Sequence, residues 1–126
     1  MKTIIAGSRQ LPIKWDKIKL VACAVYRSGW LYEITEIVSG GCRGIDLAGE
    51  MFAENYAIPV RRFMPDWEHE GKAAGPIRNS EMANYADALI LVWDGTSRGS
   101  ADMKKKAEQK GLRIYELLVN EETKLE

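Results

Sequence analysis

The stretch "ALILVW", residues 88–93, is apolar at every position. An uninterrupted apolar run of this length, without alternation, is typical of a strand in a parallel sheet that is covered on both faces. The run is followed at once by "DGTSRGS", residues 94–100, which is rich in residues that favour turns and loops. The stretch therefore predicts a buried parallel strand that ends in a polar loop.

Similar strand patterns alternate with helical patterns on both sides of this run. The other predicted strands are "TIIAG" (3–7), "EIVSG" (36–40), "PVRRF" (59–63) and "LRIYEL" (112–117). The predicted helices are Pro12–Arg27, Ile45–Tyr56, Ile77–Ala86 and Ser100–Lys110, with Pro12 and Pro76 near helix starts and Gly111 at a helix end. The alternation predicts a doubly wound, three-layer α/β sandwich with a mainly parallel five-stranded sheet and helices on both faces.

Two of the helices carry apolar stripes that predict core positions. The stripes are Trp15, Ile18, Ala22 and Val25 in the first helix, and Leu47, Met51, Ala53 and Glu54 in the second. The stretch Met64–Gly75 has no predicted element and is interpreted as a functional loop, because it is long for a connection. One domain is predicted over residues 1–119, followed by a polar tail at 120–126.

The composition limits the kind of partner. The chain has 126 residues, with 18 Lys and Arg against 18 Asp and Glu, so no net field draws the whole molecule onto a polyanion or an anionic membrane. Any anion site must be local. No apolar run approaches the ~18 residues of a membrane span. The start, "MKTIIAG", has too short an apolar part for a secretory signal, so a cytoplasmic protein is expected.

The two cysteines and the single histidine predict neither a disulfide nor a metal site. Cys23 and Cys42 lack a pairing or metal-binding spacing, and His69 has no ligand partner nearby in sequence. Cys42 precedes a predicted helix and could be a reactive thiol, but an inert thiol is favoured because no base is in view. No cofactor is predicted.

The polar clusters of the sequence fall after the predicted strands. They are "GSRQ" (7–10), "GGCRGID" (40–46), "PDW" (65–67) and "DGTSRGS" (94–100). Right-handed crossovers bring the carboxyl ends of parallel strands to one edge of the sheet, where such folds bind ligands. The sequence therefore predicts one composite pocket at this edge.

Phosphate is the ligand group that this pocket is predicted to bind. Glycines let a ligand approach backbone amides, helix N-termini attract anions, and Ser, Thr and Arg side chains donate to phosphate oxygens. A tight turn without a ligand is the alternative for the glycines, and capping of a helix is the alternative to ribose binding for Asp46 and Asp94. The candidates are Gly7, Ser8, Arg9, Gly40, Gly41, Arg43, Gly44, Asp46, Asp94, Gly95, Thr96, Ser97, Arg98, Gly99 and Ser100.

Three further residues are candidates on predicted helices. Arg78 and Asn79 follow Pro76 and are placed in a first helical turn, where arginine opposes the helix dipole. This placement predicts an anionic partner, which is either a ligand or an acid such as Asp66 or Glu70. Asp102 lies one turn into the last helix, where it either complements the dipole or acts as a general acid or base.

Four ordered motifs give the chain a resemblance to a known superfamily. They are "GSR" (7–9), "SGGCRGID" (39–46), "GKAAGPIRNSEM" (71–82) and "DGTSRGSADM" (94–103). On these motifs nearly the whole chain resembles the SLOG superfamily, in its small YspA/YpsA-related branch. The resemblance implies a Rossmann-like fold that binds nucleotides or nucleotide-derived ligands. The superfamily includes the LOG phosphoribohydrolases, which cleave the N-glycosidic bond of nucleoside monophosphates, and the DNA-processing protein DprA.

The chain departs from the LOG pattern at one position, where Met103 stands in place of the catalytic glutamate. Arg78 resembles the LOG arginine that assists binding and catalysis. The leading hypothesis is therefore a protein that senses or sequesters a nucleotide. The alternative is an N-glycosidic hydrolase of nucleoside monophosphates or NAD-like substrates in which Asp102 and Arg78 are catalytic.

The third hypothesis, single-stranded DNA binding, is suggested by the resemblance to DprA. The zero net charge and the lack of a basic, aromatic-rich stripe speak against it, so nucleic acid is not the expected partner. A homodimer paired through helices is the expected assembly.

Overall fold

The computed structural model describes residues 1–11 and 15–123. Its strands form one five-stranded sheet in the order β3-β2-β1-β4-β5, and every pairing is parallel. The strands are β1 (Lys2–Gly7), β2 (Glu36–Ser39), β3 (Val60–Arg62), β4 (Ala88–Trp93) and β5 (Arg113–Leu118). The helices are α1 (Lys17–Ser28), α2 (Ile45–Asn55), α3 (Trp67–Glu70), α4 (Ala74–Tyr85) and α5 (Arg98–Gln109). The predicted doubly wound α/β fold is confirmed.

The centre of the sheet is formed by β1 and β4. All six residues of β4 are buried, as the run "ALILVW" predicts. Thr3–Gly7 of β1 pair in register with Ala88–Val92 of β4. The strand order reverses between these two strands, because the chain first moves outward from β1 to β3 and then returns to β4 on the other side. A ligand site is expected at their carboxyl ends.

Two apolar clusters cover the two faces of the sheet. Successive residues of a strand point to opposite faces, so Ile5 belongs to the cluster beneath α1 and α2, and Ile4 belongs to the cluster beneath α4 and α5. Phe52 lies in the first cluster, and Met82 and Met103 lie in the second. The two layers of helices place all βα loops at one edge of the sheet.

The start of the first helix differs from the prediction. Pro12, the predicted first residue, lies outside the described residues. The helix α1 begins at Lys17 because the Asp16 carboxylate accepts hydrogen bonds from the N–H groups of Ile18, at 2.9 Å, and Lys19, at 3.3 Å. It ends at Gly29, whose φ of 77° is in the left-handed region that glycine adopts readily.

The stretch Met64–Gly75 was predicted to lack regular elements, which is wrong. It carries α3 and a 3-10 turn at Gly71–Ala73, and α4 then begins at Ala74. Pro76 is thus the third residue of α4 rather than a residue at its start. It fits there because the first turn of a helix needs no N–H donors. The last helix, α5, also begins two residues earlier than predicted, at Arg98.

The predicted apolar stripes are confirmed in part. Val25 is buried, and Trp15, Ile18 and Ala22 are partly buried and pack against the core cluster, although Leu20 and its neighbours on α1 are buried more completely. Ala53 of the predicted stripe in α2 is buried as well. In α2, Leu47 is 39% exposed and Met51 is 51% exposed. The sheet contacts a second apolar stripe of α2, which includes Gly49; a Cβ at Gly49 would lie 2.8 Å from Cγ2 of Ile5. The helix therefore approaches the sheet closely at Gly49 and buries Phe52 on the same face, while Leu47 and Met51 lie on the outer face.

The polar C-terminal segment was predicted as a tail. Its described part forms a turn in which Asn120 N–H donates to Thr123 Oγ1 at 2.7 Å, and residues 124–126 lie outside the described residues. No helix within residues 1–11 and 15–123 has the length and apolar composition needed to cross a membrane.

Candidate functional site

A cavity of about 510 Å³ opens at the carboxyl ends of β1 and β4; we call it the site cavity. Candidates from the sequence that line it are Gly7, Ser8, Arg9, Arg43, Asp46, Arg78, Asn79, Asp94, Ser97, Gly99 and Ser100. Candidates that do not line it are Gly40, Gly41, Gly44, Gly95, Thr96, Arg98 and Asp102. Lining residues that sequence reasoning did not propose as ligands are Ala6, Gln10, Cys42, Met82 and Met103.

The loop after β2, residues 40–44, is called the second loop. A Cβ at Gly40 would lie 2.8 Å from the guanidinium carbon of Arg78 and 2.9 Å from Oδ2 of Asp46. The missing side chain of Gly40 therefore makes room for two charged groups of the protein. The prediction from the sequence was that the missing side chain lets a ligand phosphate approach the backbone.

Gly44 makes a second close contact inside the protein. Its φ of 84° is in the left-handed region, and a Cβ there would lie 2.6 Å from the carbonyl oxygens of both Ser8 and Arg9. Ile45, the first residue of α2, donates its N–H to the same Ser8 carbonyl at 3.3 Å. The second loop is thus packed directly against the backbone that follows β1, and one amide at the start of α2 is already bonded.

Arg78 is the buried cation of the site cavity, with only 7% of its surface exposed. It is the fifth residue of α4, so it does not lie in the first turn where the sequence placed it. Its Nη1 donates to the Gly40 carbonyl at 2.6 Å and its Nε donates to Oδ1 of Asn79 at 3.1 Å. The alternative ion pair with Asp66 or Glu70 is wrong, since the guanidinium contacts the second loop.

Asp46 lies opposite Arg78, in the first turn of α2, and is only 6% exposed. Its carboxylate accepts the N–H of Cys42 at 3.3 Å. Burial raises the pKa of Asp46 to about 6, although the Cys42 N–H and the charge of Arg78 act to lower it. The site cavity therefore contains a carboxyl group that changes its charge near neutral pH.

The loop after β4, residues 94–97, is called the fourth loop, and its own aspartate closes it. The Asp94 carboxylate accepts the N–H groups of Thr96 at 2.9 Å and Ser97 at 3.0 Å. Desolvation raises the pKa of Asp94, but these hydrogen bonds outweigh it, so the pKa lies below its ordinary value. Asp94 does not cap α5, whose N-cap residue is Ser97; its Oδ1 accepts both N–H groups and so closes the fourth loop as an Asx turn.

Ser8 joins the ends of the two central strands. It is 2% exposed, and its hydroxyl accepts the Asp94 N–H at 3.2 Å and lies 3.2 Å from the Ser97 hydroxyl. These bonds fix the end of β1 against the fourth loop. The serine of the "GSR" motif thus positions the floor of the site cavity.

The N-terminus of α5 is the second helix start that borders the site cavity. The first hydrogen bond inside this helix runs from Ala101 N–H to the Ser97 carbonyl at 3.0 Å, so the N–H groups of Gly99 and Ser100 precede it. Both residues line the cavity, and the first turn of α5 contains no acid. The first turn of α2, by contrast, contains Asp46. An anion is therefore favoured at α5 and disfavoured at α2.

Asp102 does not line the site cavity. Its Oδ2 accepts hydrogen bonds from Asn79 Nδ2 and from Lys106 Nζ, both at 2.9 Å. Met103, which follows it on α5, lines the cavity and is 1% exposed. The helix thus turns the methionine to the cavity and leaves the aspartate beside it, as the 100° step between neighbouring residues requires.

Cys42 lies between two guanidinium groups. Its Sγ accepts from Nη2 of Arg9 and from Nη2 of Arg78, each at 3.7 Å. Cys23 and Cys42 are both free thiols. No group of three or more His, Cys, Asp and Glu residues that could hold a metal ion is found in the described part of the chain.

The fold and the site cavity define a Rossmann-like α/β protein whose polar residues converge where the strand order reverses. The chain belongs to the family of the gene 61 protein of Mycobacterium phage D29, to which it is 31% identical over 119 residues, covering 90% of this chain and 93% of the phage protein. No protein-family model matches the chain.

The fold is similar to that in the X-ray structure of DNA processing protein A (DprA) from Streptococcus pneumoniae. The TM-score is 0.69 at 19% sequence identity, and the match covers 98% of this chain and 52% of the DprA chain. The chain therefore spans about half the length of that protein. At this identity the likeness shows the fold alone, and membership of the SLOG superfamily stays a prediction.

Proposed function

We propose that the protein binds a nucleotide or a nucleotide-derived small molecule in the site cavity, as a sensor or a sequestering protein. The observation that carries this proposal is the N-terminus of α5, where Gly99 and Ser100 line a cavity at the switch point of the sheet. The volume of about 510 Å³ lies within the range of small-molecule sites, about 300–1,000 Å³.

The charges around the cavity support the same ligand class. Arg9 and Arg43 are exposed at its rim, where their guanidinium groups can fork onto phosphate oxygens. Asp94 and Asp46 offer carboxylate oxygens, which accept hydrogen bonds from ribose hydroxyls. We place the phosphate at α5 rather than at the second loop, because Asp46 lies beneath that loop.

The proposal is tested by thermal unfolding and calorimetry with a panel of nucleoside monophosphates, NAD, adenosine and inorganic phosphate. A ligand at about 100 times its dissociation constant stabilises the fold by about 2.7 kcal/mol. Phosphorylated nucleosides are expected to stabilise the protein, and adenosine is expected to do so far less. No stabilisation by any nucleotide would refute the proposal.

A matched pair of variants tests the position of the phosphate. A Cβ at Gly99 meets nothing within 4 Å, so side chains fit there without rearrangement. Gly99→Asp adds a carboxylate at the start of α5, which suits the helix dipole but repels a phosphate. We expect Gly99→Asp to keep the fold and lose nucleotide binding, while the neutral control Gly99→Asn retains binding. Equal affinities for the two variants would exclude this phosphate position.

A second candidate function is N-glycosidic hydrolysis, and the observation that favours it is Asp46. A buried carboxyl with a pKa of about 6 is suited to donate a proton to a leaving base, with Arg78 beside it. In this reaction water adds its hydroxyl to the ribose carbon and the base leaves with a proton. If the protein releases free base from a nucleotide, Asp46→Asn is expected to abolish the release, and Asp102→Asn tests the acid that the sequence suggested.

Binding of single-stranded DNA is the third function to test, because the similar structure is that of a DNA processing protein. A gel shift with a single-stranded oligonucleotide at physiological salt, repeated at lower salt, measures it. We expect no shift at physiological salt, since the chain has no net positive charge. A salt-dependent shift that a mononucleotide does not compete with would favour the DNA hypothesis over our proposal.

A further inference from the structure

A second cavity, of about 560 Å³, adjoins the site cavity; we call it the side cavity. It lies between the start of α1 and the outer surface of α2. Arg9, Gln10 and Arg43 line both cavities, so the two spaces meet at these three residues. Together they form one groove that runs from the N-terminus of α5, past the second loop, to the exposed face of α2.

The wall of the side cavity is apolar although it lies at the surface. It includes Leu47 and Met51, which are 39% and 51% exposed, and the partly buried Trp15 and Ile18. These side chains form a surface on which a flat ring can pack. The site cavity, in contrast, is lined beside α5 by glycine and serine residues together with the buried Met103.

The charge of the side cavity favours an anionic ligand at the junction. Arg9 and Arg43 provide two guanidinium groups there, and Arg9 also contacts Cys42 Sγ at 3.7 Å, which holds it at the border. The one carboxylate among the lining residues belongs to Asp16, and it faces the N–H groups of Ile18 and Lys19 at the start of α1. The junction is therefore cationic, and the space beyond it is lined by apolar side chains together with Asp16 and Lys17.

We infer that the side cavity is a subsite for the second nucleoside of a dinucleotide. One nucleoside occupies the site cavity, the bridging pyrophosphate extends from the N-terminus of α5 to Arg9 and Arg43, and the second base packs on Leu47 and Met51. This inference rests on the proposed function, and it narrows the ligand class from mononucleotides to two nucleosides joined by a pyrophosphate. The order of groups along the groove, cationic and then apolar, matches the order along such a ligand.

The experiment compares the affinities of AMP and of diadenosine diphosphate by calorimetry. For the wild type, we expect diadenosine diphosphate to bind at least tenfold more tightly than AMP. The double variant Leu47→Asn, Met51→Gln keeps the size of the side chains but removes their apolar surface. It is expected to weaken diadenosine diphosphate about tenfold and to leave AMP unchanged. Tyr32→Gln, which alters a side chain that is 97% exposed before β2, at the edge of the sheet opposite the site cavity, is the control and is expected to change neither affinity.

Each outcome separates the inference from the proposed function. If neither compound binds, both are overturned. If AMP binds and diadenosine diphosphate binds no more tightly, the dinucleotide subsite is overturned while the proposed function stands. Equal losses for both ligands in the double variant would also overturn the subsite. The mass of the protein in solution is measured in parallel, because a dimer that the double variant abolishes would show that a second copy of the chain covers Leu47 and Met51.

Discussion

The second and fourth loops lie at the same edge of the sheet. Asp46 lies just after the second loop and Asp94 begins the fourth loop, and the pKa values of these two carboxyl groups are shifted in opposite directions. Asp94 has a lowered pKa because two backbone N–H groups of its own loop bind it. Burial raises the pKa of Asp46 to about 6. Charged groups of the protein therefore fill the space at the second loop. The fourth loop forms its hydrogen bonds within itself, so the N-terminus of α5 that follows it is available to a ligand.

The largest change in the free energy of unfolding is expected from glycine substitutions, one made in each of the two loops. Gly44 and Gly95 have nearly the same φ, 84° and 87°. A Cβ at Gly44 would lie 2.6 Å from two carbonyl oxygens, whereas one at Gly95 would lie 3.5 Å from its nearest neighbour. Gly44→Ala is expected to lower the free energy of unfolding by about 3 kcal/mol or more, from strain and overpacking together. Gly95→Ala is expected to cost about 1–2 kcal/mol, from strain alone.

Urea denaturation of the two variants and the wild type measures this difference. Circular dichroism at zero urea shows whether each variant still folds. If the two substitutions cost the same free energy, the second loop is not packed against the backbone after β1 as described.

The second largest effect is the contribution of Asp46 to the pH dependence of the free energy of unfolding. Its carboxyl holds a proton up to pH of about 6 when folded, but only to about 3.8 when unfolded, so the native state binds more protons between these values. Stability therefore falls as the pH rises through this window, by up to about 3 kcal/mol for a shift of about two pKa units. Asp46→Asn removes the titrating group and is expected to lack this fall.

Denaturant unfolding of the wild type and of Asp46→Asn at intervals from pH 4 to pH 7.5 gives the comparison. The wild-type stability minus the variant stability should decrease with rising pH. A difference that stays constant, or that increases, would contradict the burial of Asp46.

A smaller effect is expected from Asp94. Its shift has the opposite sign, so it contributes stability at neutral pH that is lost as the pH falls below its ordinary pKa. Asp94→Ala removes the acceptor of the Thr96 and Ser97 N–H groups and is expected to cost about 1 kcal/mol at pH 7. Asp94→Asn keeps an oxygen acceptor and is expected to retain most of the stability. Chemical denaturation of both variants tests this, and equal losses would argue against the role of Asp94 in closing the fourth loop.

The smallest effect is expected at Gly99. Gly99→Ala places a methyl group in open space within the first turn of α5 and is expected to stabilise the protein by a few tenths of a kcal/mol, up to about 1 kcal/mol. The melting temperature should rise slightly. A clear loss of stability would indicate that the first turn of α5, which follows the fourth loop, is as tightly packed as the second loop.

The sequence predicted the centre of the fold well because burial on both faces demands it. The strand "ALILVW" has the observed bounds, since a strand covered on both sides admits no polar position. The convergence of the polar loops follows from parallel topology alone, so it too could be predicted. Both conclusions rest on constraints that act over the whole sheet.

The errors in the start of α4 and in the buried face of α2 arise where one segment of the sequence permits two interpretations. The helix α4 begins at Ala74 without a side-chain cap, so Pro76 was the only visible start signal and it shifted Arg78 by one turn. In α2 two apolar stripes are available, and the choice between them depends on the close contact of Gly49 with Ile5, which no periodicity reveals. The apolar lining residues, such as Met82, carry no sequence signal for a cavity.

The central position of β1 has a consequence for the synthesis of the protein. β1 leaves the ribosome before β4, with which one of its edges pairs and which lies more than eighty residues later in the chain. Ribosomes add about 5–20 residues per second, so this edge lacks its partner for several seconds after β1 is made. Unpaired strand edges can pair with other chains, so the nascent protein is expected to be most prone to aggregation before "ALILVW" emerges.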